Sequence, residues 1–232
     1  MKRIGTLDWT QVQSSLDASG VAVVPKLLTV AECNAMRSLY ADAKNFRSRV
    51  VMERHNFGRG EYQYFAEPLP PIVQSLREEI YPHLALIANA WSLALREKRE
   101  FPPTLAAFRA QCRAAGQTRP TPLLLRYGAG DYNCLHQDLY GDVAFPMQLV
   151  VLLNEPRTDF EGGEFVVVEQ RPRMQSRAHV VPLQIGDAAI FAVHHRPAAG
   201  KRGAYRVNLR HGASLIRSGE RFALGVIFHD AR

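Results

Sequence analysis

The first half of the chain repeats its apolar residues at the period of an α-helix. Residues 8–20 and 72–95 each carry apolar side chains three or four positions apart, which predicts two amphipathic helices. A capping-box pattern at residues 29–32 predicts that another helix begins there. Pro82 is expected to kink or interrupt the long helix, and a further helix is predicted over 104–115.

The second half changes to the two-residue apolar period of β-strands. Eight candidate strands are separated by turns rich in Gly and Asp: residues 123–127, 132–138, 147–154, 164–169, 179–183, 188–193, 205–210 and 222–229. Helices followed by eight short strands predict an α+β protein, a double-stranded β-helix (jelly roll) with N-terminal helices packed on its sheet. We expect a helical supporting part over 1–122 and the β core over 123–232, joined in a single compact domain.

Residues 47–66 break the helical pattern with Arg and His side chains interleaved among Tyr and Phe. A basic and aromatic segment of this kind can hold a phosphate and stack a nucleobase. The alternative is a polar loop whose aromatic side chains cover the core. The pattern alone does not decide between these two interpretations.

Composition narrows the class of protein. The 232 residues are 47% hydrophobic, which is enough for a substantial core, and they contain no run of 18 apolar residues that would predict a membrane span. The start lacks the apolar segment of a signal peptide, and the three cysteines form no zinc or disulfide pattern, so we expect a cytoplasmic protein. The net charge of +7 permits a polyanionic partner such as nucleic acid, although a merely basic protein would show the same charge.

The pair His136 and Asp138 is the first candidate for chemistry. Residues two apart on a strand point to the same face, so an imidazole nitrogen and a carboxylate oxygen can reach one point. A distant second histidine would complete the facial triad of a non-haem Fe(II) oxygenase, which leaves coordination positions open. Taken alone, the pair is more often a surface His and Asp at a strand end.

A second constellation follows at His211 and Arg221, ten residues apart. We expect a strand, a turn and an antiparallel strand to bring both side chains to the same end of the barrel. An oxygenase that uses 2-oxoglutarate needs a fixed cation for the far carboxylate of this ligand. Arg can bind a carboxylate with two parallel hydrogen bonds. His195 is the alternative second histidine, but it precedes a predicted flexible loop within an insertion over 194–210.

Together these motifs resemble the Fe(II)/2-oxoglutarate-dependent dioxygenase superfamily. The supporting stretches are Arg126-Tyr127-Gly128-Ala129-Gly130, Leu152-Leu153-Asn154, Glu161-Gly162-Gly163-Glu164-Phe165 and Gly186-Asp187-Ala188-Ala189-Ile190-Phe191. The resemblance implies that His136, Asp138 and His211 bind Fe(II), and that Arg221 and Tyr127 bind 2-oxoglutarate. It implies an enzyme that uses O2 to oxidise a C–H bond, releases succinate and CO2, and in vitro needs ascorbate.

Different parts of the chain resemble enzymes that act on different classes of substrate. Residues 126–127 and 135–138 resemble AlkB-type demethylases of alkylated nucleic acid, and the chain resembles a bacterial oxygenase group linked to damaged DNA. The Gly-Gly-Glu turn and the C-terminal Gly-Glu-Arg-Phe instead resemble prolyl-4-hydroxylase-type enzymes, whose substrates are protein side chains. The basic loops favour nucleic acid, with candidate substrate contacts at Tyr62, Tyr64, Tyr140, Arg202 and Arg206. The alternatives are a hydroxylase of a peptide or small molecule and a non-catalytic, cupin-like metal sensor; the oligomeric state is not predicted.

Overall fold

The computed structural model, which describes residues 2–201 and 203–232, contains two antiparallel sheets that enclose a shared core. The strands are β1 (Val21–Val24), β2 (Phe46–Val51), β3 (Gly58–Arg59), β4 (Glu61–Phe65), β5 (Leu123–Tyr127), β6 (Tyr132–His136), β7 (Met147–Leu152), β8 (Phe160–Gly162), β9 (Phe165–Gln170), β10 (Arg177–Val181), β11 (Ala188–Ala192), β12 (His195–Gly200), β13 (Gly203–Ala213), β14 (Ile216–Gly219) and β15 (Arg221–Val226). The larger sheet has the order β1-β11-β7-β15-β5-β4-β2. The smaller sheet has the order β10-β9-β13-β6-β3, with β12 paired to β13, and β14 pairs with β8.

The helices belong mainly to the part of the chain before β5. They are α1 (Lys2–Gly5), α2 (Trp9–Ser19), α3 (Val30–Ser38), α4 (Pro71–Ala94) and α5 (Leu105–Ala114). The side chain of Thr29 accepts from the amide of Glu32, and the Glu32 carboxylate accepts from the Thr29 amide, so the predicted capping box is present. A kink or an interruption was expected at Pro82; helix α4 continues through this residue, so the interruption is absent and the kink stays a prediction.

The core lies between the long helix and the two sheets. Every residue of β7 and β11 is buried, because these central strands are covered on both faces. Val73, Leu76 and Ile80 of α4 belong to the same cluster of buried side chains as the strands. The predicted fold class, an α+β jelly roll with N-terminal helices packed on its sheet, is confirmed.

All eight predicted strands are present, one with the predicted ends and the others with shifted ends, but two segments differ from the expectation. Residues 47–66 were open to interpretation as a polar loop, and most of them form β2, β3 and β4 at the edges of the two sheets. The expected flexible loop after His195 is strand β12, which pairs with β13 along its whole length. In both segments the hydrogen bonds to a neighbouring strand outweigh the weak local strand propensity.

The part before residue 123 is also less helical than expected. It contributes β1, β3 and β4, which hydrogen-bond to β11, β6 and β5 of the later part. The division into a supporting part and a β core stays a prediction. No helix in the described ranges is long and apolar enough to cross a membrane.

Candidate metal centre

Three side chains predicted as metal ligands converge at one point. His136 and His211 lie directly opposite each other on β6 and β13, and Asp138 follows β6 by two residues. One ligand atom from each of the three lies within 4.8 Å of the others. The Nε2 atoms of His136 and His211 are each 3.3 Å from a different oxygen of Asp138.

Electrostatic effects within the trio differ from group to group. Burial lowers the pKa of His136, but the hydrogen bond and charge of Asp138 outweigh burial and raise it. Burial raises the pKa of Asp138, but hydrogen bonds and charges from His136 and His211 outweigh that effect and hold the pKa well below its usual value. Burial lowers the pKa of His211 and outweighs the opposing effect of Asp138, which favours the neutral imidazole. The Nδ1 atom of His136 lies 2.7 Å from the Cys134 carbonyl oxygen. If Nδ1 donates there, the Nε2 lone pair of His136 faces the site.

Two neutral donors hold the Asp138 carboxylate. Tyr140 donates to Oδ1 at 2.8 Å, and the Gln148 amide donates to Oδ2 at 2.6 Å. The same Gln148 nitrogen lies 3.1 Å from Nε2 of His211. Neither contact was predicted, although Gln148 is the one polar residue in the wholly buried strand β7, and that isolated polar position was a usable signal.

Arg221 lies at the first position of β15 with 3% of its surface exposed. Its Nε has no hydrogen-bond partner, and no carboxylate of the described chain is within ion-pair distance of it. Burial lowers the pKa of its guanidinium, against smaller opposing effects of Tyr127 and Glu164. A buried cation without an acidic partner is unfavourable, so this position suits a carboxylate that arrives with a ligand.

A glycine creates the space that Arg221 occupies. Gly163 has a φ of +62°, and a Cβ at this position would lie 2.7 Å from Cδ of Arg221. The Gly-Gly turn after β8 therefore allows both the left-handed backbone and the close approach of the arginine.

The three candidate metal ligands and Arg221 line one cavity of about 220 Å³ between the two sheets, together with Tyr127 and mostly apolar side chains. We expected His211 and Arg221 on two antiparallel strands joined by a turn, and this expectation was wrong. Strand β14 lies between them in the chain, and they belong to opposite sheets that face each other across the cavity. The expected convergence is present, but it results from sheet packing and not from a hairpin.

The three tyrosines predicted to contact the substrate are buried or partly buried. Tyr62 and Tyr140 line the cavity, while Tyr64 is only 9% exposed. Tyr64 packs edge-to-face against Tyr62 and Tyr140 and lies under the guanidinium of Arg47. Tyr64 therefore offers no free ring face in this structure, and the roles of Tyr62 and Tyr140 toward a substrate stay predictions.

Two basic side chains of the segment around β12 contact the carboxylate of Glu97. Arg206 donates to Glu97, and Nε2 of His195 lies 3.1 Å from the same carboxylate. The Nδ1 atoms of His194 and His195 are 2.6 Å apart. His195 does not line the cavity, whereas His211 does. Arg202, a predicted substrate contact, lies outside the described residues.

Comparison with known proteins identifies the class. A family model described as "Oxygenase, catalysing oxidative methylation of damaged DNA" (Oxygenase-NA) matches residues 60–231. Two Mycobacterium tuberculosis proteins, MT2286 of strain CDC 1551 / Oshkosh and Rv2227 of strain ATCC 25618 / H37Rv, are each 48% identical over 167 residues, which is 72% of this chain and 72% of theirs.

Solved structures share the fold at low identity. A prolyl-4-hydroxylase from Pseudomonas putida has a TM-score of 0.57 and 16% identity, covering 97% of this chain and 99% of its own. A 2OG-Fe(II) oxygenase family oxidoreductase from Burkholderia pseudomallei has a TM-score of 0.56 and 13% identity over 97% and 93%. A Trichoplax adhaerens prolyl hydroxylase, solved with a hypoxia inducible factor peptide, has a TM-score of 0.53 and 13% identity over 99% and 91%.

The chain is thus an oxygenase built on the double-stranded β-helix. It belongs to the Oxygenase-NA family, since the family model spans most of its length. The predicted class of enzyme, an oxygenase, is confirmed by the family, and the trio of His136, Asp138 and His211 is consistent with the predicted Fe(II) and 2-oxoglutarate.

Proposed function

We propose that this dioxygenase removes alkyl groups from damaged nucleic acid by oxidising the alkyl carbon. His136, Asp138 and His211 hold the Fe(II), while Arg221 and Tyr127 hold 2-oxoglutarate. The observation that carries the proposal is one cavity in which three close metal-ligand atoms face a buried, unpaired arginine. The description of the family, which concerns damaged DNA, supports the substrate.

The donor set fits the two cofactors. A carboxylate with a lowered pKa and two imidazoles form a ligand set typical of non-haem iron oxygenases. Burial raises the pKa of Tyr127 to about 12, so its hydroxyl stays protonated and can donate to a bound keto acid. Fe(II) with 2-oxoglutarate and O2 supplies the oxidant that hydroxylates the substrate carbon, with release of succinate and CO2.

The residues of the chain position the reactants and exclude water. Arg221 pairs with the far carboxylate of 2-oxoglutarate, while Gln148 and Tyr140 orient the Asp138 carboxylate. The mostly apolar wall of the cavity limits water near the metal. Hydroxylation of an N-methyl group gives an N-hydroxymethyl product, which releases formaldehyde and leaves the repaired base. The free thiols Cys33, Cys112 and Cys134 suit the reducing cytoplasm in which we place the enzyme.

Product analysis tests the proposal. With Fe(II), 2-oxoglutarate and ascorbate at low salt, a single-stranded oligonucleotide carrying N-methylated bases should release succinate and formaldehyde in equal amounts. The unmethylated oligonucleotide should release neither above the background, and neither should the His211→Ala variant with the methylated strand. Equal succinate from both strands, or stimulation only by a proline peptide or an amino acid, would instead support the side-chain or small-molecule hydroxylase.

A further inference from the structure

Several exposed apolar side chains lie close in the chain to the candidate metal ligands, or next to the strand paired with theirs. The described chain has eleven large hydrophobic side chains that are exposed: Val23, Val30, Phe57, Leu86, Leu93, Tyr132, Leu135, Leu139, Met174, Val180 and Leu215. Four of the eleven, Phe57, Tyr132, Leu135 and Leu139, come from the two short segments next to His136. An exposed apolar side chain that also lines a site can form part of a surface that contacts a ligand.

Phe57 is the member of this group that reaches the cavity. It is 48% exposed and lines the same cavity as His136 and Asp138. Its ring stacks on the exposed ring of His55, with centroids 5.4 Å apart and planes 23° apart. The pair forms a flat aromatic surface at the rim, partly open to solvent.

The backbone holds Phe57 in this place. Its carbonyl oxygen accepts from the Cys134 amide at 2.9 Å, and Gly58 pairs with Asn133 in the β3–β6 ladder. Gly58 has a φ of +126°, and a Cβ there would lie 2.3 Å from the Tyr132 carbonyl oxygen. Only glycine allows β3 to approach β6 so closely, and that approach sets Phe57 beside the strand that carries His136.

The charge near this aromatic pair favours a nucleic acid over a peptide. Arg54 and Arg59 flank the pair in the chain, and both are exposed. Nε of Arg59 forms an exposed ion pair with the Glu53 carboxylate at 3.4 Å. Aromatic faces beside arginines are the combination that binds single-stranded nucleic acid, with bases on the rings and phosphates on the cations. An apolar peptide would use the same rings but not the arginines.

We infer that Phe57, backed by His55, is the residue on which the base next to the alkylated base stacks when an unpaired strand enters the site. The inference rests on the proposed function and names its substrate as a single-stranded or locally unpaired strand. The alkylated base itself enters the cavity, since its alkyl carbon must reach the metal. Phe57 is open to solvent, whereas Tyr64, one of the three tyrosines predicted to contact the substrate, is buried.

Binding of a methylated single strand measures this role. Replacing an aromatic residue that stacks on a base weakens binding, and for Phe57→Ala we expect Kd to rise about 5- to 150-fold. Phe57→Trp keeps a ring and should bind nearly as tightly as the wild type. Leu93→Ala removes an even more exposed apolar side chain, 81% against 48% for Phe57, from α4 outside the cavity lining, and should have no effect.

Two further readouts separate stacking from general damage to the protein. The slope of log Kd against log salt should be unchanged in Phe57→Ala, whereas Arg54→Gln should reduce it by about 0.7 if that side chain contacts a phosphate. With 2-aminopurine next to the methylated base, the saturated complex of Phe57→Ala should fluoresce more than that of the wild type, because the probe base is no longer stacked on the ring.

The outcomes are distinct. If the wild type binds the strand and Phe57→Ala binds it as tightly as Leu93→Ala does, the inference is wrong and the proposed function stands. If the wild type binds no oligonucleotide and responds only to a peptide, both fail. Weaker binding with an unchanged salt slope, restored by Trp, supports the inference.

Discussion

Replacement of Arg221 should have opposite effects on ligand binding and on the stability of the protein without ligands. Arg221 is 3% exposed, its Nε has no hydrogen-bond partner, and it has no ion pair with a carboxylate in the described ranges. For Arg221→Met, we expect 2-oxoglutarate binding to weaken strongly. The ligand-free protein should unfold at the same temperature as the wild type or higher, since an uncompensated buried charge is removed.

The structure sets the size of the binding effect. Without Arg221, the far carboxylate of the keto acid is left unpaired in a mostly apolar cavity. Loss of one partner of such a buried pair costs about 2–5 kcal/mol, which corresponds to a roughly 30- to several-thousand-fold rise in Kd. Arg221→Lys keeps the charge but not the two parallel hydrogen bonds, so its Kd should lie between those of Arg221→Met and the wild type.

Anaerobic calorimetry with the Fe(II)-loaded protein measures the 2-oxoglutarate affinity, and thermal unfolding of the metal-free protein measures stability. An unchanged Kd in Arg221→Met would refute the role of this arginine. A large loss of thermal stability in the same variant would show that the guanidinium has a structural partner.

Three further predictions concern the surroundings of the site. Gln148→Met keeps the side-chain length but removes the donor to Asp138, so Fe(II) affinity measured by titration should fall about 10- to 100-fold while the fold is retained. Gly163→Ala should displace Arg221, weaken 2-oxoglutarate binding in the same calorimetric assay and lower the free energy of unfolding by about 1–2 kcal/mol. Burial lowers the pKa of His229 to about 4, whereas an unfolded histidine titrates near pH 6.5. Because the unfolded chain binds the proton first, the stability that neutral His229 contributes is complete above about pH 6.5 and is lost as the pH falls toward 4. Urea unfolding should show this decline, and His229→Asn should reduce it.

The parts of the fold that follow from local pattern were predictable. The apolar run of β7, broken only by Gln148, and the capping box at Thr29 are both set by residues adjacent in the chain. The strands within residues 47–66 were not predictable from local pattern. Strand β2 is a partly buried edge strand, and its polar residues hide the two-residue apolar period.

The candidate site was predictable where ligands are close in the chain and less so where sheet packing joins them. The spacing of His136 and Asp138 is local, whereas the contact between Gln148 and Asp138 requires two strands of different sheets to face each other. The position of Arg221 opposite His211 likewise depends on packing, since β14 intervenes between their strands. Phe57 was part of a basic and aromatic segment that the sequence marked, but only its exposure on the rim distinguishes it from the buried Tyr64.

A crystal structure with Fe(II) and 2-oxoglutarate, prepared without oxygen, tests the central claim most directly. We predict one metal ion bonded to His136, Asp138 and His211 at about 2.0–2.2 Å. The far carboxylate of 2-oxoglutarate should accept two hydrogen bonds from Arg221. A metal ion bound by His195 with His211 turned away, or a keto acid whose carboxylate lies apart from Arg221, would contradict the account.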